Sequence, residues 1–210
     1  TDLDLLAARF GAAAVLGGQC VISTSLDPEG RILHLNDTHT LTFGEQDDRR
    51  SARAVAIATA LSGARFETRL SETILQEMWE KWVFIATGAG ITCLMRAAIG
   101  DIVAAGAADL ALALFEECAG IAATQGFPPR PAFLERMRQT FATPNSPLTA
   151  SMLRDIERSA PAEAEHILGD LLRRAGAPAA DRSLLRLAYV HVKAYEARRT
   201  RERAAPATTA

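Results

Sequence analysis

Lys81 is the residue most suited to chemistry in this sequence, because the chain uses arginine for almost all of its other positive charge. The chain has 21 arginines and only two lysines, and Lys81 lies in the mostly apolar run 79–95. An ammonium group withdrawn from water can release its proton near neutral pH, whereas a guanidinium essentially cannot. Lys81 is therefore a candidate proton donor. The alternative is a surface lysine paired with Glu77 one turn earlier, an interaction worth a few tenths of a kcal/mol.

Two segments carry a more specific pattern. One is Trp-Glu-Lys-Trp-Val at residues 79–83, and the other runs from Ser-Met-Leu-Arg-Asp at 151–155 to Glu163. Together they resemble the C-terminal domain of the ketopantoate reductase (2-dehydropantoate 2-reductase) family. The N-terminal third is similar to the back half of that family's cofactor domain, in residues 10–11, 15–18, 28–34 and 41–45.

This resemblance implies a fold and an activity. The fold is an α/β remnant, the second half of a Rossmann-like domain, in residues 1–70. An all-α substrate and dimerisation domain in residues 71–201 follows, resembling the C-terminal domain of 6-phosphogluconate dehydrogenase, with a disordered tail at 202–210. The activity is NADPH-dependent reduction of a small 2-oxo acid to the 2-hydroxy acid, in a cytoplasmic enzyme for which a homodimer is one candidate assembly.

The resemblance also assigns roles to three residues. Lys81 corresponds to the general acid that hydrogen-bonds the ketone oxygen, where an ammonium both polarises the carbonyl and supplies a proton. Glu163 corresponds to the carboxylate that contacts a substrate hydroxyl and helps set the charge of the lysine. Ser151, close to a helix N-terminus, corresponds to the hydroxyl that holds the substrate carboxylate. The alternatives are a solvent-paired Glu163 near a helix start and a Ser151 that only caps its own helix.

Departures from the family pattern concern substrate recognition. Family members often have asparagine one turn after the lysine, and this chain has Ile85. Where another substrate-binding asparagine can occur, the chain has Ile99. Lys81, Ile85 and Ala89 share a helix face through their four-residue spacing. The proton donor is kept while its surroundings become more apolar, which favours a paralogue that acts on a 2-oxo acid other than the pantoate precursor.

The cofactor site is the main gap in the resemblance. The family's glycine-rich dinucleotide loop would lie before Thr1, so most of the NADPH site is expected upstream of residue 1. Gly17-Gly18 and Gly88-Ala89-Gly90 lack the remaining glycines of such a loop, and we interpret both as structural. We therefore expect a truncated product or excised fragment of a reductase, an interpretation that micromolar NADPH binding by this chain would contradict.

Two other functions are compatible with the sequence. One is a noncatalytic helical module for dimerisation or binding, in which Gly88, Gly90 and the apolar helix 101–124 make helix–helix contacts. The other is a degenerate reductase that binds a keto acid without turnover. A glycine-rich strand–turn–helix in the preceding reading frame would favour the enzyme, and an upstream stop codon would favour the module.

Composition narrows the range of partners. The net charge of −2 gives no indication of a nucleic-acid or anionic-membrane surface. Cys20, Cys93 and Cys118 lack any Cys-x-x-Cys spacing, which predicts small buried side chains in a reducing compartment instead of disulfides or a zinc site. The four histidines show no helical ligand spacing, so no metal site is predicted.

Local patterns predict the order of the elements. Strands are expected at 14–23, 31–35, 41–45 and 66–70, with turn chemistry at 27–30 between the first two. Paired glycines inside the helix that carries Lys81 predict close packing against a neighbouring backbone. Helices are expected at 2–10, 51–64, 71–96, 101–124 and 131–141, then from Pro147 with Ser146 as cap, from Pro161, and at 181–201.

We expect residues 1–70 to be the least stable part of the chain, because their strands lack the sheet partners that a whole cofactor domain would provide. Hydrogen–deuterium exchange should therefore show weaker amide protection in residues 1–70 than in residues 71–201. Uniform protection from Asp2 onward would contradict this expectation.

Overall fold

In the computed structural model an α/β segment precedes a segment built from helices. The structure describes residues 2–176 and 183–204, and the chain divides into two units, residues 1–78 and 79–210. The predicted architecture, part of an α/β domain followed by a helical domain, is confirmed. Most of the predicted tail, residues 205–210, lies outside the described residues, as does the start of the last predicted helix at Asp181.

The first unit is built on a three-stranded sheet in the order β1-β2-β3. Strands β1 and β2 are antiparallel, with Gly17 opposite Gly44, and β2 and β3 are parallel, with Phe43 opposite Leu70. A helix connects the two parallel strands, as parallel pairing requires. The elements are α1 (Asp2–Phe10), β1 (Gly17–Leu26), β2 (Ile32–Gly44), α2 (Ala52–Leu61) and β3 (Glu67–Leu70).

The prediction of two separate strands at 31–35 and 41–45 was wrong, since both belong to β2. Ile22 pairs with His39 and Thr24 pairs with His34, so the single residue between them on β1 faces residues 35–38 on β2. A bulge of this kind absorbs a polar insertion without ending the strand. Thr38 N donates to Asn36 Oδ1 at 3.1 Å inside the bulge. The polar residues that indicated a break are therefore accommodated locally.

The start of α2 is held by a group of charged and hydroxyl side chains. Ser51 is its N-cap and accepts from Ala54 N at 3.1 Å, as its residue type favours. Arg53 donates from Nε to Glu45 Oε1 at 2.7 Å and from Nη2 to Oε2 at 2.5 Å. These bonds from Arg53, with a further one from Ser51, lower the pKa of Glu45 to about 2. Glu45 is thus ionised at the base of α2 throughout the physiological range.

Helices form nearly all of the second unit. The helix that carries Lys81 runs from Ile74 to Met95, so its first turn belongs to the first unit. The residues 165–169 form one π-helical turn that continues into a short α-helix. The helices are α3 (Ile74–Met95), α4 (Ile99–Ala104), α5 (Ala108–Thr124), α6 (Pro131–Phe141), α7 (Ser151–Glu157), α8 (Asp170–Arg174) and α9 (Leu184–Ala204).

The single helix predicted at 101–124 is in fact two helices. Gly106 lies between α4 and α5 with φ of 80°, a left-handed conformation that glycine adopts without steric cost. Helix α4 also begins before Asp101, because that carboxylate accepts from Ala98 N at 3.3 Å and caps its first turn. A glycine flanked by alanines gave a weak stop signal in the sequence, and its backbone conformation ended the helix.

Two predicted helix starts were also wrong. The helix expected from Pro147 begins at Ser151, and the helix expected from Pro161 begins only after Glu163. Residues 146–150, which we call the strap, instead bond to the beginning of α4. Gly100 N donates to Ser146 O at 2.9 Å, and Ile99 N donates to Leu148 O at 3.0 Å. The strap carbonyls thus satisfy amides that an isolated helix leaves without partners.

The core of the helical unit is apolar and rich in aromatic contacts. The rings of Phe115 and Phe141 are 6.0 Å apart and fully buried. Cys93 and Cys118 are buried as predicted, and burial raises the pKa of each thiol to about 12, so neither is a nucleophile at neutral pH. Cys20 is exposed, contrary to prediction. None of the described helices is both long and apolar enough to cross a membrane.

The two glycines of α3 differ in their surroundings. A Cβ built on Gly90 would lie 2.9 Å from Leu114 Cδ2, whereas one on Gly88 would meet nothing closer than Phe141 at 4.0 Å. Close packing is therefore present at Gly90 alone of the two, and its neighbours are side chains, not the backbone that was predicted. It occurs inside the helical unit, so Gly90 gives no indication of contact with a second chain.

Alanine substitutions at these two glycines should have opposite effects. Gly88→Ala should raise the free energy of unfolding by roughly 0.5–1 kcal/mol, because alanine costs less entropy inside a helix. Gly90→Ala should lower it by about 1 kcal/mol, because the added methyl overpacks against Leu114. Urea denaturation of both variants measures the difference. A gain in stability at both positions would contradict the close contact.

Candidate substrate site

Helix α3 is fixed next to Lys81 by an ion pair whose carboxylate is buried. Glu80 is 5% exposed, and its Oε1 accepts from both Arg130 N and Arg130 Nε at 2.9 Å. Arg130 Nη2 donates to Glu80 Oε2 at 2.5 Å. Three charge-assisted bonds to one carboxylate define the rotation of the helix more strongly than a single contact would. The residue that precedes Lys81 therefore ties α3 to the start of α6.

One strip of α3 combines half-buried and fully buried residues. Lys81, Ile85 and Gly88 are half-buried, whereas Ala89 and Thr92 are buried. At 100° per residue, Thr92 returns to within about 20° of Lys81 around the helix axis. We call these five residues the α3 strip. The predicted shared face of Lys81, Ile85 and Ala89 is present in this helix, and Lys81 is half-buried as a residue.

Ser151 is attached to the far end of the same strip through the strap. Ala150 N donates to Thr92 Oγ1 at 3.4 Å, and Thr92 Oγ1 donates to Gly88 O at 2.6 Å. Gly88 lies two turns from Lys81, which is about 10 Å of helix. The bond from Ala150 therefore holds the start of α7 to α3 on the C-terminal side of Lys81.

Glu163 is anchored to α3 at the other end of the strip. Ile167 N donates to Glu163 O at 3.2 Å, and Trp82 Nε1 donates to Ile167 O at 2.9 Å. Trp82 is the residue that follows Lys81, so the turn after Glu163 bonds to α3 through the sequence neighbour of Lys81. The structure thus brings the segments of Ser151 and Glu163 to one helix. Both side chains are exposed, and their roles toward a substrate stay predictions.

A neighbouring carboxylate, Glu165, is engaged elsewhere. Arg173 donates to its Oε1, and Tyr189 Oη donates to its Oε2 at 2.8 Å. The bond from Arg173, followed by that from Tyr189, lowers the pKa of Glu165, and donation to Glu165 raises the pKa of Tyr189. Lys193 Nζ lies 3.9 Å from Oε2. Glu165 therefore helps to join the π-helical turn to α9.

Sequence reasoning missed the residues that support the site. The Glu80–Arg130 pair spans 50 residues and Thr92 bonds a residue 58 positions away, so no local spacing indicated either contact. The spacing of Glu163 and Glu165 gave no means of telling a bound carboxylate from an exposed one. Among the described residues, no group of three or more histidine, cysteine or acidic side chains is placed to hold a metal.

Comparison with known proteins identifies the family that this arrangement represents. A family model described as "Ketopantoate reductase PanE/ApbA C terminal" matches residues 73–196, so the chain belongs to the ketopantoate reductase family. YkpB of Bacillus subtilis strain 168, described as an uncharacterised oxidoreductase, is 34% identical over 195 residues. That alignment covers 92% of this chain and 64% of YkpB. The chain therefore spans less than two thirds of the length of that relative.

Solved structures share the fold over nearly the whole chain. A 2-dehydropantoate 2-reductase from Methylococcus capsulatus matches with a TM-score of 0.78 and 25% identity, over 93% of this chain and 67% of its own. A dimeric ketopantoate reductase from Staphylococcus aureus matches with a TM-score of 0.73 and 20% identity, over 88% of this chain and 63% of its own. A D-mandelate dehydrogenase matches with a TM-score of 0.79 and 16% identity, over 95% of this chain and 66% of its own. The last two show likeness of fold alone.

Removing the arginine of the buried pair should destabilise the helical unit. Arg130→Met leaves the Glu80 carboxylate buried with two fewer donors, which should cost about 2–3 kcal/mol. The arginine side chain is half exposed, so the loss should fall below that of a fully buried pair. Chemical denaturation of this variant and of the Glu80→Gln/Arg130→Met double variant measures the coupling.

The double variant is the matched control, because it removes the unpaired charge together with its partner. We expect it to regain at least about 1 kcal/mol over Arg130→Met alone. A double variant as unstable as the sum of the two single variants would show that the pair does not fix α3.

Proposed function

We propose that this chain serves in the NADPH-dependent reduction of a 2-oxo acid to the 2-hydroxy acid, with Lys81 as the general acid. The observation that carries the proposal is the anchoring of the Ser151 and Glu163 segments along the helix that bears Lys81. Membership of the ketopantoate reductase family supports the same reaction class. A second function, that of a noncatalytic dimerisation module, loses the part of its argument that rests on Gly90, because that residue packs within its own unit.

The proposed role of Lys81 follows from the charge that develops during reduction. When the 2-oxo carbon accepts a hydride, its oxygen becomes an alkoxide and must gain a proton. An ammonium at hydrogen-bond distance stabilises this charge and then donates the proton, so that the neutral amine recovers a proton from solvent. The half-buried position of Lys81 reduces competition from water for that hydrogen bond.

Ser151 and Glu163 are proposed to orient the substrate at the two ends of the α3 strip. The Ser151 hydroxyl would donate to the substrate carboxylate, and the Glu163 carboxylate would accept from a substrate hydroxyl or from the ammonium of Lys81. Two fixed polar contacts on either side of a carbonyl hold it in one orientation, which is a large part of the catalytic effect of an enzyme.

The part of the α3 strip between the segments of Ser151 and Glu163 indicates the class of substrate. Ile85, Gly88 and Ala89 offer no polar side-chain group to a molecule lying on the strip. A hydrogen-bonding substituent would lose its bonds to water there without replacement, whereas an apolar one would gain from burial. We therefore propose a 2-oxo acid whose substituent is mainly aliphatic or aromatic.

The cofactor is part of the proposal through the family, and the described residues do not form its pyrophosphate site. The connection from β2 to α2 in the βαβ unit, residues 45–51, has three acidic residues, two arginines and no glycine. Dinucleotide sites use a glycine-rich turn at this kind of junction. A bound nicotinamide would supply the hydride, and the roles proposed for this chain are confined to binding the 2-oxo acid and moving its proton.

Substitution of Lys81 tests the proposal in the product of the complete reading frame that encodes this chain. Lys81→Ala should lower kcat by at least ~100-fold, the low end for a lost general acid. Lys81→Arg should also be impaired, because a guanidinium keeps the charge but does not release its proton. The assay follows NADPH oxidation with 2-dehydropantoate and with 2-oxoisovalerate.

Lys193→Ala is the matched control, since Lys193 is the second lysine of the chain and pairs with Glu196 at 2.7 Å. Its kcat should stay within about twofold of the wild type, as is usual for surface substitutions. Full activity of Lys81→Ala would remove the lysine from the mechanism. Binding of either acid by the wild type without turnover would instead indicate a degenerate reductase.

A further inference from the structure

The strap is an extended segment that is bonded at every second residue. Ser146 O and Leu148 O accept from the first amides of α4, and Ala150 N donates to Thr92 on α3. Alternate residues of an extended chain point to the same side, so one edge of the strap faces α3 and α4 throughout. A Cβ at Gly100 would lie 2.4 Å from Ser146 N. The strap therefore lies directly on the backbone of α4.

Thr92 is the last anchor of the strap before Ser151. Its side chain is completely buried, and its hydroxyl is used twice, as donor to Gly88 O and as acceptor from Ala150 N. Threonine inside a helix commonly bonds the carbonyl four residues earlier. The additional bond to Ala150 is a tertiary contact with no role in the stability of α3 itself.

The first turn of α7 depends on the bond between Ala150 and Thr92, because its N-cap residue provides no side-chain hydrogen bond. Ala150 is the N-cap of α7 and has no side-chain oxygen to bond the first turn. An alanine cap leaves the direction of the incoming chain weakly defined. The bond from Ala150 N to Thr92 supplies a restraint at this point, one residue before the hydroxyl of Ser151.

We infer that Thr92 is a positioning residue, which sets the distance between Ser151 and Lys81 along the α3 strip and thereby the affinity for the carboxylate of the 2-oxo acid. The inference rests on the proposed function for the identity of the ligand. Thr92 does not touch the substrate in this scheme. It acts through Ser151, so its loss should weaken binding and leave proton transfer from Lys81 intact.

Thr92→Val and Thr92→Ser, made in the product of the complete reading frame, test this role with 2-oxoisovalerate as the probe. Valine keeps the shape and removes the hydroxyl, so KM should rise about fivefold to tenfold, the effect of one lost hydrogen bond. The kcat should change by less than about twofold, because uniform binding is lost without a change in chemistry. Serine retains the hydroxyl and should restore the KM of the wild type.

Amide exchange at Ala150 provides a readout that does not depend on activity. The Ala150 amide should exchange faster in Thr92→Val than in Thr92→Ser. The two variants should have equal melting temperatures, so that the difference reports the local bond. An unchanged KM in Thr92→Val, a fall in kcat without a change in KM, or equal loss in both variants would overturn the inference.

The failure of the proposed function is separable from the failure of this inference. If the wild type binds 2-oxoisovalerate in an NMR titration without turnover, the reductase proposal fails. Weaker binding by Thr92→Val than by Thr92→Ser would then still support positioning, and equal binding would overturn it. If the wild type neither binds nor turns over the acid, both proposals are wrong.

Discussion

The burial of α3 in the helical unit is the constraint on which the candidate site depends. Val83, Ala86 and Ile91 are almost fully buried, so the helix cannot rotate without exposing a large apolar area. Burial of a valine or isoleucine side chain contributes on the order of 1.5–3 kcal/mol, which exceeds the effect of any single surface contact. The ion pair between Glu80 and Arg130 selects one rotation within that limit. Together they determine which side of α3 carries the half-buried residues Lys81, Ile85 and Gly88.

Once the rotation of α3 is fixed, two distant segments can be placed along it by few bonds. The hydroxyl of Thr92 accepts a hydrogen bond from Ala150 N in the strap, and the carbonyl of Ile167 accepts one from the indole of Trp82. Neither bond is strong by itself, since a neutral hydrogen bond contributes about 1 kcal/mol. Their effect is geometric, because each bond fixes the backbone close to a polar residue that the family resemblance singles out. These residues are Ser151 for the first bond and Glu163 for the second. A rigid helix with weakly bonded segments on it can keep its proton donor while the surrounding surface changes, as Ile85 illustrates.

Local signals predicted the elements well where the residue type itself determines the backbone. Pro131 begins α6 as predicted, and Ser51, the first residue of a predicted helix, is the N-cap of α2. The errors occurred where a tertiary bond overrides the local signal. Pro147 is compatible with a helix start, yet the strap stays extended because its carbonyls accept from α4. The polar residues 36–38 suggested the end of a strand, yet the pairing of β2 with β1 continues past them through a bulge.

The sequence by itself determined the family, the order of the α/β and helical parts, and the choice of Lys81 as the proton donor to test. These depend on residue types and on spacings within a helix, which a one-dimensional pattern preserves. Only the tertiary structure decided that Thr92 bonds Ala150, the residue before Ser151, and that Glu165 is engaged with Arg173 and Tyr189. Such contacts join residues far apart in the chain, and their energy comes from groups that meet only after the helices have packed.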